Sequence, residues 1–165
     1  MVNKVEIIVD SREVLPLSFT SREITTKVEA LEVGDYAIRI DGVLDKVRVE
    51  RKGADVWTSF QGDAYHRERN KILRAKELGL TYILAIESSC SDLRKGHRYF
   101  KGGEWVESGR DPLSLIRMLM TISRRYTVPV WFCNGREDMA FRIQEYLMTP
   151  ARVNLDEKTN TKDSL

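Results

Sequence analysis

Residues 34–52 read Gly34-Asp35-Tyr36-Ala37-Ile38-Arg39-Ile40-Asp41-Gly42-Val43-Leu44-Asp45-Lys46-Val47-Arg48-Val49-Glu50-Arg51-Lys52. Two alternating segments, 36–40 and 46–50, flank an Asp-Gly turn signal, which is the pattern of a β-hairpin. The expected register pairs Ile40 with Asp45, Ile38 with Val47, Tyr36 with Val49 and Asp35 with Glu50. Side chains alternate across a strand, so Tyr36, Ile38, Val47 and Val49 share the buried face. Asp35, Glu50 and Lys52 share the other. A slip of one residue would break the apolar match, so the pattern itself argues for this phase.

Opposed residues on a strand pair hold their Cβ atoms about 4.5–5.5 Å apart. Two carboxylates that close repel, so one takes up a proton or a cation lies between them. A few hard oxygen donors suit Mg²⁺ or Mn²⁺, which retain waters and accept a substrate phosphate. Such an ion polarises a phosphoryl oxygen and supplies hydroxide from bound water. Lys52 is then placed to orient or deprotonate the water, or to stabilise developing charge. The bland alternative is a solvated charged face, common for so short a pattern.

At 165 residues the chain fits one domain with a sizeable core. Lys and Arg number 27 against 25 Asp and Glu, a net charge of +2, so a polyanion site has to be a local patch. Cys90 and Cys133 show neither metal-ligand spacing nor a disulfide framework, which points to a reducing compartment. Met1 leads almost directly into an apolar strand at 5–9, and no apolar run approaches membrane-span length. An intracellular protein of cytoplasm or nucleoid, without signal peptide or membrane partner, is expected.

Along the chain, strands and helices alternate. Residues 28–31 read as short and extended, and 55–60 as a short helix. Asp63 is expected to cap a helix over 64–78 that stops at Gly79. Residues 81–86 form a buried strand ending at Glu87. Asp111-Pro112 opens a helix whose apolar face is Leu115, Ile116, Leu119, Met120 and Ile122. Residues 128–132 form a strand whose Pro129 marks its beginning or a sheet edge. Asn134 to Glu137 has capping-box spacing, and the helix it opens is expected to end near Met148, before Pro150. Residues 1–150 thus form the domain, and 151–165 a polar, disordered tail. The order implies an α/β fold, a central mixed sheet flanked by helices on both faces.

Three motifs stand in order at fitting spacing. Val9-Asp10-Ser11-Arg12-Glu13 resembles V-D-x-R-E, and Leu31-Glu32-Val33-Gly34-Asp35-Tyr36 resembles L-x-V-G-D-Y. Val49-Glu50-Arg51-Lys52, followed by Asp55, resembles V-E-R-K-x-x-x-D. Over residues 4–149 the chain is similar to the XPF-type structure-specific endonucleases, which include the archaeal Hef nuclease. The resemblance implies a restriction-endonuclease-like nuclease fold and Mg²⁺- or Mn²⁺-dependent cleavage of branched DNA such as forks, flaps and splayed arms. By position it implies Asp10, Asp35 and Glu50 as metal ligands and Lys52 as the catalytic lysine. Arg51 would steady the site or reach phosphate, and Arg12 and Glu13 lie at family positions near it. Asp55 departs from the pattern, because two residues separate it from Lys52 where the family has three.

The family commonly carries a tandem helix-hairpin-helix domain, for which a chain of this length is not expected to have room; a separate DNA-binding subunit is one way to replace it. The insertion at 88–110 is another. There Arg94, Lys95, His97, Arg98 and Lys101 interleave with Tyr99, Phe100 and Trp105, and Gly102-Gly103 would turn a hairpin. A basic, aromatic arm neutralises phosphates and stacks on unpaired bases; a plain surface hairpin is the equal alternative. Tyr65, Arg67, Arg69, Lys71 and Arg74 make the 64–78 helix either a solvated face or a DNA groove. Family nuclease domains pair through their last helices, so a homodimer through the C-terminal helices is expected, unless Met118, Met139, Phe141, Tyr146 and Met148 are monomer core. Stand-alone domains of this kind resemble those encoded by phages and mobile elements. Two rivals stand beside a nuclease: a non-catalytic module that binds branched DNA or a partner nuclease, and an unrelated metal-dependent phosphoester hydrolase.

Overall fold

The computed structural model describes residues 4–160 apart from Gly102 and Ser108, with the backbone alone for residues 99–101, 105 and 153–160. The central hairpin forms as β3 (Tyr36–Ile40) and β5 (Val47–Lys52), with β4 (Val43–Leu44) folded back on β3. Tyr36 pairs with Val49, as the alternation requires. Nearer the turn the register differs from expectation: Ile40 pairs with Val43, not Asp45, and Arg39 pairs with Leu44. Asp41 and Gly42 adopt φ of 49° and 85°, so a two-residue turn closes the strands tightly. Asp45 and Lys46 then bulge out, with Asp45 N–H donating to Ile38 O at 2.9 Å and Val47 N–H to Asp45 Oδ1 at 2.8 Å. A two-residue shift returns every side chain to its own face. The inward set therefore survives.

β1 (Val5–Asp10) lies antiparallel to β3, with β2 (Thr25–Glu29) parallel to it at one sheet edge. β6 (Thr81–Ile86) runs parallel to β5, and β9 (Val130–Phe132) parallel to β6 at the other edge. The order is β2-β1-β3-β5-β6-β9, a mixed sheet. Both faces are covered. Ile83 and Ala85 of β6 pack with Met139 and Ile143 of α5 (Arg136–Asn160). Tyr82, Leu84 and Ile86 pack with Trp57 of α1 (Val56–Ser59), Ile72 of α2 (Gly62–Glu77) and Leu115 and Leu119 of α4 (Pro112–Tyr126). Burial on both faces is why β6 reads as a continuous apolar run.

Local details refine the sequence reading. The extended segment is 25–29, not 28–31. α2 starts after Gln61, so Asp63 sits in its first turn rather than at the cap, where its charge suits the helix dipole. Asp111 accepts the N–H groups of Leu113 and Ser114, and Pro112 holds the first helical position as expected. Met120 is exposed while Leu115, Leu119 and Ile122 are buried. At the start of α5 it is Asp138, not Glu137, that reaches back to the N–H of Asn134, at 2.7 Å.

α5 does not end near Met148. It runs through Pro150 to Asn160, so the stretch expected to be a tail begins as helix. Proline removes one hydrogen bond and crowds the preceding turn; Leu147, Met148 and Ala151, all buried in the core, hold the helix across it. Residues 161–165 of the expected tail lie outside the described residues. The 88–110 insertion forms α3 (Cys90–Arg94) and a hairpin of β7 (Arg98–Lys101) and β8 (Glu104–Glu107). Gly103 turns it with φ of 88°.

Candidate active site

Three carboxylates meet where the strands end. Asp10 closes β1, Asp35 precedes β3, and Glu50 lies within β5. Backbone bonds lock them together: Asp10 N–H donates to Asp35 O at 2.8 Å, and Asp35 N–H to Val49 O at 2.8 Å. Gly34 makes this approach possible. Its φ is +79°, and a Cβ there would stand 3.0 Å from Cβ of Arg48, so a side chain would meet both backbone strain and a clash. Asp10, Asp35 and Glu50 line one cleft of about 250 Å³ together with Arg12, Glu32 and Lys71.

Each carboxylate has a different environment. Asp10 Oδ1 accepts from Arg12 N–H at 2.8 Å and Arg12 Nε at 2.7 Å; its Oδ2 accepts from Leu31 N–H at 2.7 Å. Burial would raise this carboxyl, but Arg12 and the two backbone donors outweigh it and hold it below its ordinary value. Asp35 Oδ2 accepts one bond, from Arg51 N–H at 2.7 Å. Burial and the neighbouring Glu50 push Asp35 up to about 7. Burial would likewise raise Glu50, but Lys52 and Lys71 hold it below its ordinary value.

Glu50 belongs to a closed ring of four charges. Lys52 Nζ donates to Glu50 Oε1 and to Glu68 Oε1, both at 2.8 Å. Lys71 Nζ donates to the same two oxygens, at 2.6 and 3.3 Å. Burial would lower Lys52, yet Glu50 and Glu68 outweigh it and keep the ammonium protonated far above neutral pH. Tyr82 Oη, buried beneath the ring, has no hydrogen-bond partner among the described residues; burial, Glu50 and Glu68 push the phenol well above its ordinary value. The sequence pattern does not single out Glu68 or Tyr82, and it places Lys71 only on a basic helix face. One signal was available: Glu68, Ile72 and Ala75 form the buried stripe of α2, and a glutamate at such spacing needs an internal cation.

The remaining predicted residues stand elsewhere. Arg51 points to the opposite face of β5 from Glu50 and Lys52. There it donates to Glu13 Oε1 at 3.2 Å and Glu87 Oε2 at 2.6 Å, so it steadies the walls and does not line the cleft. Burial would lower it, but Glu13 and Glu87 help raise it. Asp55 accepts from Gly53 N–H and Ser59 Oγ, at 2.9 and 3.1 Å, and organises the start of α1. Arg67, Arg94, Lys95 and Arg98 are exposed; Lys95 pairs with Asp92 at 2.6 Å and Arg98 faces Glu107 at 3.7 Å. The side chains of Tyr99, Phe100, Lys101 and Trp105, and Gly102 of the expected turn, lie outside the described residues. Arg110 donates to the carbonyls of Trp57 and Phe60, and His97 stacks on Trp57 at 5.6 Å between ring centroids, tying the insertion to α1.

Among the described residues no three acidic, histidine or cysteine side chains are gathered tightly enough to hold a metal ion. Arg12, Lys52 and Lys71 stand against Asp10 and Glu50 as counter-ions instead. The donor chemistry nevertheless fits a hard divalent cation. Three carboxylates share one cleft, and Asp35, raised first by its burial and then by Glu50, accepts only the Arg51 N–H.

The ERCC4 domain family model matches residues 9–145, and the chain belongs to that family. Among solved structures, XPF from Aeropyrum pernix aligns over 93% of this chain and 69% of its own, with a TM-score of 0.57 and 17% identity. XPF from Aeropyrum pernix in complex with DNA aligns over 93% of this chain and 66% of its own, with a TM-score of 0.58 and 20% identity. No match was found among curated proteins. The fold is therefore that of an XPF-type nuclease domain, restriction-endonuclease-like as the motifs implied.

Proposed function

We propose that this chain is a Mg²⁺- or Mn²⁺-dependent endodeoxyribonuclease that hydrolyses phosphodiester bonds in branched DNA: forks, flaps and splayed arms. The observation that carries this reading is the convergence of Asp10, Asp35 and Glu50 on one cleft, with Lys52 buried behind Glu50. These three carboxylates would hold the metal, which when bound supplies an activated water and stabilises charge on the phosphoryl group. Lys52 is held as an ammonium by Glu50 and Glu68. It serves as a fixed positive charge for the developing transition state, not as the base. Arg51 keeps the loop at Glu13 and the strand exit at Glu87 in place.

DNA would approach along Arg12, the exposed Arg67 of α2, and Arg94, Lys95, Arg98 and Lys101 of the insertion. A homodimer through α4 and α5 is the assembly proposed, because Phe141 and Tyr146 of α5 are 63% and 43% exposed beside Trp131. A separate DNA-binding subunit would complete substrate selection. Among the described residues no helix is long and apolar enough to cross a membrane.

The test is a panel of labelled fork, 3′-flap, splayed-arm and linear duplex DNA, with a small phosphodiester as comparison. Preferential metal-dependent cutting of the branched substrates is expected. Hydrolysis of the small ester alone would replace the proposal with a phosphoester hydrolase. Tight branched-DNA binding without cutting would replace it with a non-catalytic module.

A further inference from the structure

The four-charge ring contains a member that the proposed chemistry leaves unexplained. Glu50 Oε1 already accepts the buried Lys52, yet Lys71 Nζ lies against the same oxygen at 2.6 Å. Lys71 and Glu68 sit three residues apart on α2, so one helix face delivers both a carboxylate and an ammonium to the strand end. The ring is balanced, two carboxylates against two ammonium groups. Its members differ in their routes out: the Lys52 side chain is 5% exposed and the Lys71 side chain 40%. Lys71 also lines the cleft that Asp10, Asp35 and Glu50 line.

We infer that Lys71 is an internal counter-ion that holds the metal's place at Glu50 in the metal-free protein and withdraws when a divalent cation binds. The inference rests on the reading that these carboxylates bind a metal. Asp10, Asp35, Glu50 and Glu68 face Arg12, Lys52 and Lys71, so a dication would leave the cluster one positive charge in excess; the ammonium with a path to solvent is the one released. Lys52, enclosed and shared with Glu68, stays. Lys71 is thus a positioning residue that sets how tightly the metal binds. A merely structural tether between α2 and β5 would affect stability but leave metal affinity unchanged.

The experiment measures Mn²⁺ affinity without DNA, by the loss of the free-Mn²⁺ paramagnetic resonance signal, on the EDTA-stripped full chain and on Lys71→Met, Lys71→Arg and Glu50→Gln. Removing one competing cation should tighten Mn²⁺ binding in Lys71→Met about tenfold, within the range usual for a single coupling. Lys71→Arg keeps the charge and should show no tightening. Melting with and without Mn²⁺ should show a larger metal-induced rise in Tm for Lys71→Met than for the parent. Equal or weaker affinity in Lys71→Met would overturn the inference while leaving the metal site standing. Mn²⁺ bound by neither the parent nor Lys71→Met, or bound unchanged by Glu50→Gln, would overturn the metal reading itself.

Discussion

Replacing Asp35 by Asn should make the metal-free protein more stable and inactive at once. Asp35 is partly buried beside Glu50, and its carboxyl is pushed up from an ordinary 3.8 to about 7. Ionising it in the fold therefore costs on the order of 4 kcal/mol more than in the unfolded chain. Asn has nearly the same shape, carries no charge, and still offers an oxygen to Arg51 N–H, now accepted at 2.7 Å. Solvent reaching the cleft screens part of the repulsion, so a gain of about 2 kcal/mol at pH 8 is expected. For a domain of this size that is a rise in Tm of about 4–8 °C. The sign with pH follows from linkage. Between pH 4 and pH 7 folded Asp35 binds more protons than unfolded Asp35, so the parent loses stability as pH rises through that window. The gain from Asn is full above pH 7 and shrinks towards pH 4. Thermal and urea unfolding in EDTA at pH 5 and pH 8 read both effects. Mn²⁺ should then stabilise the parent more than the variant. No gain at pH 8, or a gain equal at both pH values, would show that neither burial nor Glu50 disfavours the ionised Asp35.

Lys52→Met should lower the cleavage rate at least about 100-fold while DNA affinity stays within about threefold. It should also destabilise the protein by about 3–5 kcal/mol, because Glu50 and Glu68 lose their enclosed cation; unchanged unfolding would show that the ring contributes nothing. Neutralising Arg94, Lys95 and Arg98 together should flatten the salt dependence of DNA binding by a slope of about 1 to 3, and an unchanged slope would assign the insertion to the surface alone. Phe141→Glu should convert a sedimenting dimer to a monomer that keeps its circular dichroism spectrum, since Phe141 is exposed in the single chain. A parent that sediments as monomer at high concentration would remove the proposed interface.

The hairpin shows why so much of this site was legible. Apolar alternation over 36–40 and 46–50 dictates which face is buried, and that alone puts Asp35, Glu50 and Lys52 together on the other. The turn is tighter than the pattern predicts, yet a slip of two residues leaves every face unchanged, so the carboxylates stay together. Asp10 was readable because a strand pattern ends on it. Glu68 and Lys71 were not, because their roles depend on how α2 docks on β5, and charged residues on a helix ordinarily mark its solvated side. Pro150 misled for a related reason: local propensity stops a helix there, and packing of Leu147, Met148 and Ala151 against the sheet overrides it.

Asp10, Asp35 and Glu50 are proposed to form one metal-dependent hydrolytic centre. Single-turnover cleavage of a labelled DNA fork, in Mn²⁺ and in EDTA, beside Glu50→Gln tests it most directly. Cutting by the parent in Mn²⁺, with none in EDTA and none by Glu50→Gln despite retained fork binding, is the result predicted. Cutting that survives EDTA, or survives Glu50→Gln at the parent's rate, would contradict it.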